Sequence, residues 1–586
     1  MSSSDDPEKN KRNGVLKLCF VMLVSMAIVV LVCIRISRSS DDDENNVGDK
    51  DDHKDPSMKA IRAICQPTEF KRTCVEEVLA VAGNTTDFKE LVQAAFTATI
   101  KYLRRASENS TTLRDIQKDP RSKQALDICR QLTRYSVYEL QKSFYKFDKF
   151  GLTRIDKMLA DLRIWLSATI TNQITCLEGF RNITGDPGET MKKALTIPIE
   201  LSIDGLAIIS GLADFQGGVR RRLLGDYEVP VTGGHNNSDL GTTLENVFSR
   251  RRLEVDKADV VVAKDGSGTF NTIKGAMSRI PLNSPKPFVI YIKEGIYKEN
   301  IEFGYRMTNV VLIGDGKEKT RITGCRNNAV GIPTFRTATV AVNGDKFFVK
   351  NIGFENSAGP AKLQAVALMV TSDYAVFYNC SMDGYQDTLY VHSKRQFYRD
   401  CTVTGTVDFV IGDAAVVFQN CTFLVRKPLD GQQATVTAQA RYDARQPTAI
   451  VIQNSTFTAA PELVRVKNRY RTYLGRPWGK FARTIVMESY LDDLITPEGW
   501  TVWDGLWGIN TCFYSEFNNN GPGSSTTARV KWPGIKKITT ESAREFAPRA
   551  FFDGVDSWIK DRSVPYAPGL FNNDTVDVQQ EERWPI

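Results

Sequence analysis

The sequence predicts two unlike domains: an all-α helical bundle over residues 61–216 and an all-β solenoid, a right-handed parallel β-helix, over 258–586. Three observations predict it. A chain of 586 residues is longer than one hydrophobic core usually supports. Between about Cys65 and Phe215 apolar residues recur at helical spacing. After Lys257 the texture changes to short runs of Val, Ile, Phe and Tyr punctuated by Gly, Asn and Asp, and one phrase repeats along it.

Ahead of both domains, Leu18 to Ile34 is a 17-residue stretch with only Ser25 polar, about the minimum for a membrane span. Lys9, Lys11, Arg12 and Lys17 precede it and "DDDEN" follows. That asymmetry predicts a cytoplasmic tail at 1–17, a membrane anchor at 18–34, an acidic linker at 35–60 and a luminal, secreted remainder. A cleaved signal peptide fits the same segment, although no small-residue cleavage site follows Cys33. Of eleven cysteines, Cys19 and Cys33 belong to this segment and the rest face an oxidising compartment. Asn84, Asn109, Asn182, Asn236 and Asn573 open Asn-X-Ser/Thr acceptors for glycosylation, as do Asn379, Asn420 and Asn454, though the tripeptide is common by chance. A net charge of +7 favours a polyanionic partner, and for a luminal protein that is an acidic polysaccharide rather than nucleic acid.

Within the helical region, Asp87 can cap a helix whose Val92, Phe96, Ile100 and Leu103 share a face, and Leu159, Leu162, Leu166 and Ile170 repeat the pattern. At least four amphipathic segments make a bundle the economical fold. The stretches "ICQPTEFKRTC", "ALDICRQL" and "LSATITNQITCLEGF" resemble the plant invertase and pectin methylesterase inhibitor family. That resemblance implies a four-helix bundle with an N-terminal helical hairpin and bridges Cys65–Cys74 and Cys129–Cys176. An inhibitory role and a purely structural one both remain open. From 217 to 257 the periodicity lapses into a Gly-rich, charged linker carrying "RRRLL" and "RRRL". Exposed runs of this kind are either solvated charge or sites for a basic-site protease, here near Arg222 and Arg252.

The repeated phrase of the second domain reads "FFVKNIGF", "VFYNCSM", "QFYRDCTV", "VFQNCTF" and "VIQNSTF", with its Asn or Asp at 351, 379, 400, 420 and 454. A β-rich unit of about 20 residues or more, ending each strand on Asn, indicates a solenoid whose equivalent positions lie one strand spacing, about 4.8 Å, apart. Cys380, Cys401 and Cys421, each following that Asn or Asp, are further candidates for disulfide pairing. Asp387 stands eight residues after Asn379, and Asp408 eight after Asp400, so the ladder stacks the two aspartates on adjacent coils. Such a pair splits its pKa values if a cation supports one member, supplying an acid together with a nucleophile or base. Two aspartates capping solvent-facing turns would look the same. Arg476, between Gly475 and Pro477, can hold a carboxylate with a planar fork, and Gln364 and Gln386 are neutral amide donors suited to an oxyanion.

"GIYKE", "QAVAL", "GYQDTLY", "GTVDF" and "LGRPW" are similar to the signatures of plant pectin methylesterases, and the match runs from about Asp259 to near the C-terminus. The resemblance implies hydrolysis of the C6 methyl esters of galacturonate in pectin, without metal or cofactor. It implies Asp408 as nucleophile, Asp387 as general acid and base, Gln364 and Gln386 as oxyanion donors, and Arg476 as the partner of Asp408. Aromatic platforms should line the groove at Phe335 (beside Thr334), Tyr390, Trp478, and Trp500 or Trp503. The bundle then reads as a pro-region, a candidate autoinhibitor, with pectin, a proteinaceous inhibitor and a processing protease as partners and the cell wall as destination. The chain departs from the family pattern at Ile411, where an aromatic is usual, at Asp413, an added carboxylate, and at Ala440, where glycine is usual.

Rival chemistries fare worse. His53 and His235 lie in tail and linker, leaving only His392 for a serine triad, and no Gly-X-Ser-X-Gly precedes it. His392 therefore reads as structural. Clustered metal ligands are lacking. Paired aspartates on a β-helix can also cut glycosidic bonds, so a pectin depolymerase is the alternative enzyme. A catalytically weak wall-binding or inhibitor protein is the alternative outside enzymes.

Overall fold

The computed structural model describes residues 55–107, 120–148, 155–181, 183, 186–224 and 258–571. The membrane segment at 18–34, Arg252 and the acceptors Asn109, Asn182, Asn236 and Asn573 lie outside them. Asn84 is exposed.

Helix α1 (Pro56–Cys65) begins earlier than the expected boundary at 61, because Asp55 caps it, accepting from Ser57 N at 2.9 Å. With α2 (Lys71–Ala82) it forms a hairpin closed by the Cys65–Cys74 disulfide. Four longer helices follow: α3 (Phe88–Ser107), α4 (Pro120–Asp148), α5 (Ile155–Glu178) and α6 (Pro187–Leu224). Cys129–Cys176 ties α4 to α5. Asp87 accepts from Glu90 N at the start of α3, and Val92, Phe96 and Leu103 are buried as the periodicity requires. Helix α6 runs to Leu224, so 217–224 is helical and not linker, and Arg222 falls in its last turn. Its Pro187–Ala213 portion is apolar and long enough to cross a membrane, but 67% of its apolar window is buried in the bundle, as befits a core helix.

From Val260 onward the chain winds as a parallel β-helix with sheets of ten, eight and seven strands, in each of which the strand from one coil pairs with that from the next. The repeat's Asn351, Asn379, Asp400, Asn420 and Asn454 all adopt positive φ, between 48° and 61°, at the bend between two sheets. Asn and Asp tolerate that conformation better than other side chains with a Cβ. They also bridge coils, Asn379 Nδ2 donating to Asn351 Oδ1 at 2.7 Å and Asn420 Nδ2 to Asp400 Oδ1 at 2.6 Å. Inside, like stacks on like: Phe377, Tyr398 and Phe418 lie ring on ring at 4.8 and 4.7 Å.

The same stacking corrects one expectation. Cys380, Cys401 and Cys421 are free and buried. Equivalent side chains in parallel coils point the same way about 4.8 Å apart, whereas a disulfide needs Cβ atoms about 3.8 Å apart.

The seven-stranded sheet carries the groove. Its strands are β1 (Ile301–Phe303), β2 (Val340–Val342), β3 (Leu368–Val370), β4 (Leu389–Val391), β5 (Val410–Gly412), β6 (Ala434–Gln439) and β7 (Thr472–Pro477). Register aligns Glu302, Ala341, Met369, Tyr390, Ile411, Ala438 and Arg476 in one row along its outer face. The helical domain packs on this face through α4 and α5. Arg395, 1% exposed, lies between Asp161 of α5 at 2.7 Å and Asp373 at 2.7 Å. Trp165 Nε1 donates to Asp373 Oδ2 at 3.0 Å, and Lys142 pairs with Asp345 at 2.7 Å.

Candidate active site

Asp387 and Asp408 sit two residues before the paired Leu389 and Val410, so the strand register puts them at equivalent places on adjacent coils. Both adopt left-handed backbone, φ 60° and 49°, which turns the side chains out of the β-helix at the mouth of β4 and β5. Asp387 N donates to Val407 O at 3.1 Å, tying the two turns together.

Their surroundings differ. Arg476, reaching from β7, donates from Nε to Asp408 Oδ1 at 2.8 Å and from Nη2 to Oδ2 at 2.5 Å, the two-pronged fork that fixes a carboxylate in position and angle. Thr435 of β6 adds Oγ1 to Oδ1 at 2.6 Å, while its hydroxyl oxygen accepts from Asp408 N at 2.8 Å. Among the described residues the Asp387 carboxyl has no such partner. Burial first, and then the charge of Asp408, push its carboxyl well above the usual carboxylate range; Arg476 pulls the other way and Glu178 adds to the rise. One carboxylate is thus clamped by a cation while its neighbour is held as an acid, which separates two roles that sequence spacing had left interchangeable.

Gln364 and Gln386 line the same cavity of about 450 Å³, together with Thr334, Phe335, Tyr390 and Trp478. Gln364 Oε1 is buried without a hydrogen-bond partner among the described residues. Trp478 stacks on Trp503 at 6.0 Å, and the Arg476 guanidinium lies 4.5 Å from the Trp503 ring centre. Trp500 is not in the groove: it is 1% exposed, stacked on Tyr514 at 4.3 Å, with Nε1 donating to Glu516. The "EGWTVWDG" segment pairs at Gly475 and Trp500 as a further rung, which turns Trp500 inward and leaves Trp503 beside Trp478.

His392 is fully buried beneath Phe335 and Tyr390, with Nε2 at 2.9 Å from Thr175 Oγ1 of α5, and burial lowers its pKa to about 3. Asp413 is turned away from the aspartate pair: it accepts from Thr171 of α5, Gln439, Gln446 and Thr448. Burial raises its pKa. Ile411 forms the groove floor between Tyr390 and Ala438.

Sequence reasoning missed Thr435, because the loop after Val425 stretches the interval from Asp408 to 27 residues, though counting register from Val410 to Thr437 would have found it. It also missed Glu178. The last residue of α5, Glu178 enters the cavity and accepts from Trp478 Nε1 at 2.8 Å; burial pushes its carboxyl up to about 7. No periodicity in the helix distinguishes that residue from a solvated one.

Comparison with known proteins agrees with this geometry. A family model described as Pectinesterase matches residues 259–555, and one described as Plant invertase/pectin methylesterase inhibitor matches 59–208. A pectinesterase/pectinesterase inhibitor of Arabidopsis thaliana is 45% identical over 97% of this chain and 76% of its own length. One from Ficus pumila var. awkeotsang is 39% identical over 88% of this chain and 93% of its own. Among solved structures, pectin methylesterase from carrot superposes with a TM-score of 0.53 at 44% identity, covering 54% of this chain and 99% of that one.

Proposed function

Because the chain belongs to the pectinesterase family, with an inhibitor-type helical domain ahead of the catalytic one, we infer that its groove hydrolyses the C6 methyl esters of galacturonate units in pectin by way of the stacked aspartates. The observation that carries this reading is the unequal pair: Asp408 clamped by Arg476, Asp387 one coil away and unclamped.

An Asp408 oxygen attacks the ester carbonyl carbon, and the oxyanion that forms accepts from the amides of Gln364 and Gln386. As the tetrahedral intermediate collapses, the bond to the methoxy oxygen breaks and the Asp387 proton goes to it, releasing methanol. Asp387, now a carboxylate, takes a proton from water. That water attacks the uronyl carbon of the anhydride, Asp408 departs as carboxylate, and the product is a galacturonic acid unit, which gives its own proton to solvent, with Asp387 protonated again. Thr435 holds Asp408 at the angle of attack. Tyr390, Phe335, Trp478 and Trp503 offer ring faces to the sugars.

The helical domain acts as an autoinhibitor in this reading. Thr175 and Glu178 of α5 line the cavity over the aspartates, and Glu178 occupies the Trp478 indole, where a polymer would have to pass. Cleavage by a basic-site protease near Arg222 or Arg252 releases the groove, after delivery through the secretory route to the cell wall. The purified chain, cut between its domains, should release methanol from highly esterified pectin without shortening the polymer. Shortening without methanol would overturn the reading in favour of glycosidic cleavage.

A further inference from the structure

At the opposite end of β5 from Asp408, three arginines converge on the seam between the domains. Gln439, the last residue of β6, accepts through Oε1 from Arg441 N at 3.0 Å and from Arg483 N at 2.8 Å, which sets those two arginines side by side on adjacent coils. The third comes from the bundle. Thr171 Oγ1 of α5 donates to Asp413 Oδ2 at 2.7 Å, and one turn back along α5 Gln446 Nε2 donates to Ser167 O at 3.5 Å. Arg163 stands one further turn back on the same helix face and continues that row over the β-helix. Burial pushes the Arg441 guanidinium down to about 10 against the pull of Asp413 and Asp443, and the charge of Arg163 adds to the fall. Burial pushes Arg483 well below its usual range as well, followed by the charges of Arg441 and Arg163.

None of the three forms an ion pair among the described residues. Nε of Arg163 and Nε of Arg441 are buried without a hydrogen-bond partner among those residues. The contacts the group does make are to neutral acceptors: Arg483 Nε donates to Thr448 O at 2.8 Å, and Arg441 Nη2 donates to Ala444 O. Nearby carboxylates are engaged elsewhere. Asp413 accepts from Thr171, Gln439, Gln446 and Thr448, and Asp443 holds Arg445 at 2.7 Å. Burial raises the carboxyl of Asp553, in the C-terminal segment, while Arg163 lowers it, and the two form no ion pair. Buried cations without counter-charge are costly, and guanidinium forks match the oxygens of an oxyanion better than any other partner.

We propose that Arg163, Arg441 and Arg483 form a site for a small oxyanion of the phosphate or sulfate type, which latches the helical domain to the β-helix. Phe546, whose ring centre lies 5.8 Å from the Arg483 guanidinium, and Phe551, which packs against the bundle core, wall the seam on its C-terminal side and leave it to a small ion rather than a polymer. Arg163 belongs to α5 and the other two arginines to the β-helix, so all three hold the ion only while the domains are docked. Binding of the ion and docking of the bundle therefore reinforce each other. The latch stands on the seam and is independent of the esterase reading.

The test titrates inorganic phosphate, and in a second arm sulfate, into the uncut full chain at neutral pH, with sodium chloride holding the ionic strength constant. Equilibrium dialysis should find saturable binding of at least one of the two ions, and the thermal midpoint should rise by about 2–4 °C and then level off. Comparison of the two arms tells which ion the site prefers. Arg163→Gln and Arg441→Gln should each weaken binding by about tenfold to a hundredfold, the loss of a charge-assisted contact, and flatten the thermal response. Without either ion R163Q should be no less stable than the parent, because the group it removes is a cation without a counter-charge. Arg163 is only half-buried on its helix, so R163Q carries the test should R441Q not fold. No saturable binding of either ion by the parent, or an equal thermal response in parent and variants, would overturn the proposal. So would a clear loss of stability in R163Q without either ion, which would mean that a carboxylate of the protein already answers Arg163.

Discussion

Glu178, the last residue of α5, accepts a hydrogen bond from Trp478 Nε1 at 2.8 Å, so the helical domain is fastened to the groove at the aromatic ring stacked on Trp503. The contact is made by an acid in a largely dry site, and that gives it a pH dependence.

With its pKa pushed up to about 7 from an ordinary 4.5, Glu178 in the docked protein keeps a proton that an exposed carboxyl would release. Docked stability therefore falls as pH rises from 4.5 to about 7 and levels off above it. Glu178→Gln keeps an oxygen for Trp478 and has no proton to lose. In urea denaturation E178Q should match the parent at pH 4.5 and exceed it by about 1 to 3 kcal/mol at pH 8. An equal gap at both pH values would remove Glu178 as the origin.

The two aspartates should fail differently. Asp408→Asn removes the atom that forms the covalent bond and should leave no measurable methanol release. Asp387→Asn removes only the proton carrier, so a trace of turnover should survive on the remaining oxyanion donors. Purified variants with unchanged thermal transitions are compared on esterified pectin. A D408N protein clearly more active than D387N would reverse the assigned roles.

Arg476→Ala takes away both charged hydrogen bonds to Asp408 and the cation over Trp503. It should lower kcat by about a hundredfold or more, a loss of about 2.7 kcal/mol from a half-buried charged contact. A fall of less than about tenfold across the pH range would show that Thr435 alone positions the nucleophile.

Arg395→Ala tests the seam between the domains. The change leaves Asp161 and Asp373 buried without the guanidinium between them, which should cost about 3–5 kcal/mol by urea denaturation. A loss under about 1 kcal/mol would mean that Lys146 and Lys142 neutralise the pair without it.

Period and register are properties of the chain, and the sequence by itself determined whatever depends on them. The interval of 21 residues that separates Asn379 from Asp400 also separates Asp387 from Asp408, and in a solenoid equal intervals become neighbouring coils. The helical faces of α3 and α5 follow from spacing in the same way. What crosses between coils of unequal length or between domains was decided only by tertiary structure. Thr435 reaches Asp408 because a long loop is excluded from the coil, Trp500 turns inward because its segment adds a rung to the solenoid, and Glu178 meets Trp478 across 300 residues of sequence. Local patterns are written by each residue's own backbone preferences, whereas these contacts arise from packing two completed surfaces, and neither surface exists until its domain has folded.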